Sequence, residues 1–146
     1  MRIAFACDHR GTQIRSQILE HIKKRGHEVL DFGTQTESAV DYPDFASKAA
    51  RALIEKKADR AILVCGTGIG MSIAANKIPG IRCAVCTDEY GARMARSHND
   101  ANALALRSTS INPATNLALI DIFLDTDFEG GRHQIRVNKI RHLERF

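Results

Sequence analysis

The chain has 146 residues, 44% of them hydrophobic and 26% charged, with a formal net charge of +4, a balance that suits one globular domain around a single core. No apolar run approaches the ~20 residues that span a bilayer and the N-terminus lacks the pattern of a cleaved leader, so a cytoplasmic protein with no membrane partner is expected. The charge is too mild to argue for a nucleic-acid partner, and with 5% aromatic residues and no Trp a stacking platform for single strands is not expected.

Short apolar runs alternate with helical periodicity. Residues 3–7 read as a first strand, followed directly by Asp8 and His9. Ile14, Ile18, Leu19 and Ile22 mark one face of a first helix, which Gly26 can end. Residues 29–32 form a second strand, and Pro43 suits the first turn of a second helix reaching about Lys57, with Phe45, Ala49, Leu53 and Ile54 inward. Residues 61–64 are a short, fully apolar run ending in Cys65, and a third helix starts after Gly68. Strands over 81–85 and 103–106 flank a helix from Glu89 to about Ser97, and Asn112-Pro113 opens a fifth helix through about Leu124. The alternation predicts an α/β fold: one three-layer α/β/α Rossmann-like domain over residues 1–146, with a parallel sheet of about five strands. Ligands in such sheets bind outside the carboxyl ends of the strands, which puts Asp8-His9 and Cys65 on one edge.

The segment Cys65-Gly66-Thr67-Gly68-Ile69-Gly70 carries the most chemistry. A strand, a glycine-rich turn and a helix start form an anion cradle, because glycine lets backbone N–H groups approach a ligand and the helix start adds partial positive charge. A cysteine beside a helix N-terminus ionises more readily than a free one, so a base or nucleophile would stand next to an oxyanion site. The string is not a P-loop. Both the dinucleotide pattern, which needs glycine, and a phosphatase loop, which needs arginine, fail at Met71. The plainer alternative is a buried structural cysteine at a strand end. Cys83-Ala84-Val85-Cys86 has redox or zinc-like spacing without a second pair and reads as strand packing, so no metal site is expected.

Beyond Thr126 the character changes. Glu129-Gly130-Gly131 reads as a hinge into a basic extension of about 129–146, where Arg132, Arg136, Lys139, Arg141 and Arg145 meet one carboxylate, Glu144. A helix would place Arg132 and Arg136 on one face, either as a solvated surface or as a phosphate clamp reaching a neighbouring subunit.

Six blocks in register, Ile3 to Gly11, Val40-Asp41-Tyr42-Pro43, Cys65 to Gly70, Asn76 to Arg82, Ser97 to Asn102 and Glu129 to His133, resemble the type B ribose-5-phosphate isomerases, in the family that also contains galactose-6-phosphate isomerase subunits. The resemblance runs from about residue 2 to 142. It implies a cofactor-independent aldose–ketose isomerase interconverting ribose 5-phosphate and ribulose 5-phosphate through an enediolate, and a homodimer or dimer of dimers is expected. It further implies Cys65 as the base at C2, Thr67 and the Gly66, Gly68, Ile69 and Gly70 amides around the enediolate, and His98 as ring opener. Asn99, Asp8, His9 and Tyr42 would contact the sugar, and Arg132 and Arg136 the phosphate. Relatives usually carry Gly-x-Arg where this chain has Arg107-Ser108-Thr109, so Arg107 is a candidate substitute for the arginine missing at 109. A six-carbon aldose 6-phosphate such as allose 6-phosphate, or a sugar-phosphate-binding module without catalysis, are the alternatives.

Overall fold

The computed structural model describes residues 1–145. Its elements run β1 (Arg2–Cys7), α1 (Thr12–Lys24), β2 (Glu28–Asp31), α2 (Tyr42–Ile54), β3 (Arg60–Cys65), α3 (Ile69–Asn76), β4 (Cys83–Val85), α4 (Glu89–Ser97), β5 (Ala103–Arg107), α5 (Pro113–Asp125) and α6 (Arg132–Leu143). The five strands form one sheet in the order β2-β1-β3-β5-β4, and every pairing is parallel. The α/β expectation holds, including a helix in the basic extension.

Strand alternation sorts the core into two unlike halves. One face presents Ile3, Phe5, Ile62, Val64, Leu104 and Leu106 to the large side chains of α1 and α5, among them Ile18, Ile22, Leu119 and Phe123. Each fully buried large side chain there contributes about 1.5–3 kcal/mol relative to an exposed one. The other face presents Ala4, Ala6, Ala61, Leu63, Ala103 and Ala105 to Ala46, Ala49 and Ala50 of α2 and to Met71 and Ala75 of α3. Small groups on both sides let α2 come closer to the sheet than α1 does. Cys83 lies in this second cluster and Cys86 in the first, both as free thiols.

Three expected details differ. Helix α2 ends at Ile54, with Lys56 in a left-handed conformation (φ 57°) just beyond it. Ile54 itself is 47% exposed because the inward stripe runs through the alanines; it stands over Gly80, where a Cβ would come within 2.8 Å of its Cδ1. Strand β4 starts at Cys83 rather than Ile81, since the Ile81 amide closes a turn on the Ile78 carbonyl (3.1 Å) and the Arg82 amide is taken by Asn102 Oδ1 (2.8 Å).

Because the strands are parallel, the sheet has an amino edge and a carboxyl edge. Ala61 pairs with Ala103, and Ala103 with Cys83, at the first, whereas Cys65 pairs with Arg107 at the second. Cys65 lies four residue steps beyond Ala61, or about 13 Å at ~3.3 Å per residue. This distance governs which functional groups can meet within one chain.

Candidate active site

At the carboxyl edge the end of β3 turns into α3 through the glycine loop. Gly68 is left-handed (φ 79°), and a Cβ there would sit 3.1–3.3 Å from the Leu106 backbone, so glycine is required twice over. The tight turn points the Gly68 amide at Cys65 Sγ, 3.2 Å away, and the Ile69 amide donates to Thr67 Oγ1 (3.2 Å). Two of the loop amides expected around an oxyanion are therefore occupied, one by the thiol itself. The first-turn amides of α3 that follow have no intrahelical acceptor. The loop is pinned from β5, where the Ser108 amide donates to the Cys65 carbonyl (2.9 Å) and the Thr109 amide to the Gly66 carbonyl (3.2 Å).

Neighbouring strands bring the other groups. Cys7 pairs with Val64, and the Asp8 amide donates to the Val64 carbonyl, so the register carries Asp8 alongside Cys65. Asp8 is buried, and its Oδ1 accepts from the Arg10 (2.9 Å) and Gly11 (3.2 Å) amides; this carboxylate closes the turn into α1. His9 Nδ1 accepts from the Val40 amide (3.2 Å), which leaves Nε2 to carry the proton of the neutral ring. Tyr42 lies with its ring against Gly70, so close that a Cβ on Gly70 would meet ring atoms at 2.7–3.1 Å. Arg107 lies opposite Cys65 on β5, and its Nε donates to the Thr109 carbonyl (2.7 Å). The strand stops at Arg107, yet the side chain covers the distance to residue 109. Thr67 and Ile69 are exposed at the rim.

His98, Asn99, Arg132 and Arg136 are elsewhere. Helix α4 runs antiparallel to the strands, so its end lies at the amino edge. His98 caps it, and Asn102 just beyond gives its carbonyl to the Ala61 amide (3.0 Å). The loop is rigidly held: Arg82 Nε donates to the Asn99 carbonyl (3.0 Å) and its Nη2 pairs with Asp100 (3.0 Å), while Arg96 Nη1 pairs with Asp100 (2.9 Å) and donates to the Ala101 carbonyl (2.6 Å). The extension returns to the same place. The Glu129 amide donates to the Ser97 carbonyl (3.0 Å), and His133 of α6 stacks on His98 with ring centres 4.0 Å apart and planes 11° apart. Their in-plane lone pairs run side by side rather than converge, so His98, Glu129 and His133, though close together, do not make a ready metal cage. Arg132 and Arg136 are exposed along α6.

Each chain thus carries two half-sets on opposite edges: thiol, glycine loop, Asp8, His9, Tyr42 and Arg107 on one, His98, Asn99, Arg132 and Arg136 on the other. The sequence held the signal for this split, since a residue just before a parallel strand lies at the opposite edge from one just after. Sequence reading missed His133 as the partner of His98, the Arg82–Asp100–Arg96 brace, and Arg10 beside Gly66. A groove of ≈ 890 Å³ runs along the free edge of β4 under α6, lined by Arg82, Cys83, Val85, Met94, Ile140 and Leu143 among others; it reaches Asn99 but none of the thiol-loop residues.

This parallel sheet, over nearly its whole length, matches that of a class of isomerases. The Ribose/Galactose Isomerase family matches residues 3–140, and the chain belongs to that family. It is 45% identical to ribose-5-phosphate isomerase B of Escherichia coli (strain K12), over 98% of this chain and 96% of that protein. The solved ribose-5-phosphate isomerase B of Clostridium thermocellum superposes with a TM-score of 0.97 at 50% identity, over 99% of this chain and 98% of the other. The Mycoplasma genitalium enzyme with bound ribulose-5-phosphate gives 0.93 at 40% identity, over 99% and 96%. Among the described residues no helix is long and apolar enough to cross a membrane.

Proposed function

We propose that this chain interconverts ribose 5-phosphate and ribulose 5-phosphate, with Cys65 as the base that moves the proton. The observation that carries the reading is the Cys65 sulfur, buried at the carboxyl edge and held against the start of α3 by the Gly68 amide. In the open-chain aldose Cys65 removes the C2 proton, electrons move onto the C1 carbonyl oxygen, and an enediolate forms. Returning the proton to C1 while the C2 hydroxyl passes its proton to the C1 oxygen yields the ketose, with no net oxidation and no cofactor in the balance. Thr67 and the free first-turn amides steady the enediolate oxygen. His9, Asp8 and Tyr42 line the sugar, and Arg107 faces the pocket from β5.

His98 serves as the acid and base that opens the sugar ring, with Asn99 beside it on the hydroxyls and Arg132 and Arg136 on the phosphate. Since these lie on the opposite edge of their own chain, they reach the thiol loop from a second copy. Exposed apolar residues support such pairing at both edges: Ile69 and Ile73 on α3 (54% and 57% exposed), and Ile135 and Leu143 on α6 (61% and 69%). We therefore favour a homodimer in which each pocket combines the carboxyl edge of one copy with the amino edge of the other. Four free cysteines support a reducing, cytoplasmic setting.

The test is isotope exchange. In deuterated buffer the wild-type protein is expected to place solvent deuterium at C1 of the ketose product. Cys65→Ala should lose at least about 10²-fold in turnover while keeping its fold. Turnover in Cys65→Ala within tenfold of wild type would remove the thiol from this role, and a wild type unable to convert ribose 5-phosphate would overturn the reading.

A further inference from the structure

We infer that Arg10 is a phosphate-gripping residue of this enzyme, supplied by the same edge as the thiol and standing in for the arginine absent at position 109. The inference rests on the isomerase reading above, but its geometry stands alone. Arg10 springs from the turn that Asp8 closes, where its amide donates to Asp8 Oδ1 (2.9 Å). Its side chain then lies directly over Gly66: a Cβ built on that glycine would meet Arg10 Cδ at 3.0 Å and Arg10 Cβ at 3.9 Å. The same point is 3.7 Å from Thr109 Oγ1. Glycine at 66 thus provides the floor on which the Arg10 stem rests, and Thr109 flanks the same floor.

The charges at this edge single the residue out. A sugar phosphate brings roughly two negative charges at neutral pH. Arg107 has its Nε committed to the Thr109 carbonyl, and His9 has Nδ1 committed to the Val40 amide. The Arg10 guanidinium makes no hydrogen bond and no ion pair among the described residues, although it is exposed at the mouth of the loop. Arg15 pairs with Asp31, Arg25 with Asp121 and Asp125, and Arg2 with Asp59; Arg51, Arg93, Arg132 and Arg136 are unpaired among the described residues as Arg10 is, but of these Arg10 is the one that lies against Gly66 of the thiol loop. A planar, permanently charged fork with all its donors free, held over a glycine loop, matches a phosphate group in both charge and geometry. An arginine at 109 would rise from the other flank of Gly66 toward the same space, so one cation there replaces the other.

The experiment compares wild type with Arg10→Ala, Arg10→Lys and Arg10→Ala/Thr109→Arg. Steady-state kinetics with ribose 5-phosphate are read beside inorganic phosphate, used both as a competitive inhibitor and as a stabiliser in thermal melts. Arg10→Ala is expected to raise KM and the phosphate inhibition constant together by about tenfold or more, with kcat within about threefold, as loss of a charge-assisted contact made equally in ground and transition states requires. Lysine, a point charge, should restore part of the affinity, and Thr109→Arg in the Arg10→Ala background should restore most of it. Unchanged KM and phosphate constant in Arg10→Ala, or a fall in kcat alone, would overturn the proposal. The melts keep the two readings apart: phosphate stabilisation that depends on Arg10 supports the proposal even on a different sugar phosphate, and stabilisation independent of Arg10 sinks it whatever the substrate.

Discussion

Cys65 shares the chain with three thiols whose surroundings keep them idle. Burial pushes Cys7 and Cys83 up to about 12 and Cys86 up to about 11, so none of them supplies thiolate near neutral pH. Only Cys65 has its sulfur facing a backbone amide of the glycine loop. Iodoacetamide at pH 7.5 is therefore expected to add one equivalent per chain, at Cys65, and to stop turnover in parallel. Intact mass and peptide mapping check this, with Cys65→Ala left unlabelled under the same conditions. Labelling of Cys7, Cys83 or Cys86 at a comparable rate would show that the thiol loop confers no special reactivity. The position of Cys65 was legible in the sequence, because an apolar run of strand length followed by three alternating glycines leaves few other readings. The direction of the Gly68 amide was not, since it depends on a left-handed turn packed against the Leu106 backbone.

Among the elements, α6 is the least anchored. Only His133 and Val137 of its residues are buried, and its start is held chiefly by the stack of His133 on His98. Burial holds the His133 imidazole below the usual histidine range, helped by repulsion from His98, Arg132 and Arg136 and opposed by Glu129. A histidine that binds protons less readily when folded loses stability as pH falls, from its ordinary pKa of ~6.5 down through the folded value, and has its full contribution above that window. Melting temperatures should therefore drop between pH 7.5 and pH 5.5, and the drop should be smaller in His133→Gln. His27, also lowered by burial, contributes equally to both proteins, so the difference in slope isolates His133; equal slopes would show that the stack carries no proton linkage. The basic extension reads as a helix from its spacing alone. Its docking point could not be read that way, because the six residues between Thr126 and His133 set the return path. Ile54 shows the same limit on α2, where the alanines fill the core and the larger apolar side chain faces outward.

At the scale of the whole molecule, the sheet's polarity decides what one copy can hold. Register along β1 and β3 made the neighbourhood of Asp8 and Cys65 readable from the ends of two strands. Residues proposed to act together across copies, such as Cys65 and His98, leave no such trace in one chain's spacing. The proposed composite pocket predicts complementation. Cys65→Ala and His98→Asn would each disable both pockets of the proposed homodimer, but each mixed dimer would hold one pocket with neither change. After subunit exchange in an equal mixture, about a quarter of all pockets should be intact if dimers form at random with two-fold symmetry. Recovered turnover, measured against each variant incubated alone, checks the arrangement. A mixture no more active than its components would place the full pocket within one copy.

The separation of thiol loop and histidine loop by the depth of the sheet also bears on how the proposed enzyme responds to dilution. An isolated copy would carry both halves of the chemistry but could not bring them together, so activity would have no monomeric remnant. Well below the dissociation constant of the pair, the amount of working catalyst would fall with the square of total protein rather than in proportion to it. A newly made chain would likewise be fully folded yet silent until it meets a second, which makes assembly, rather than folding, the step that switches the reaction on.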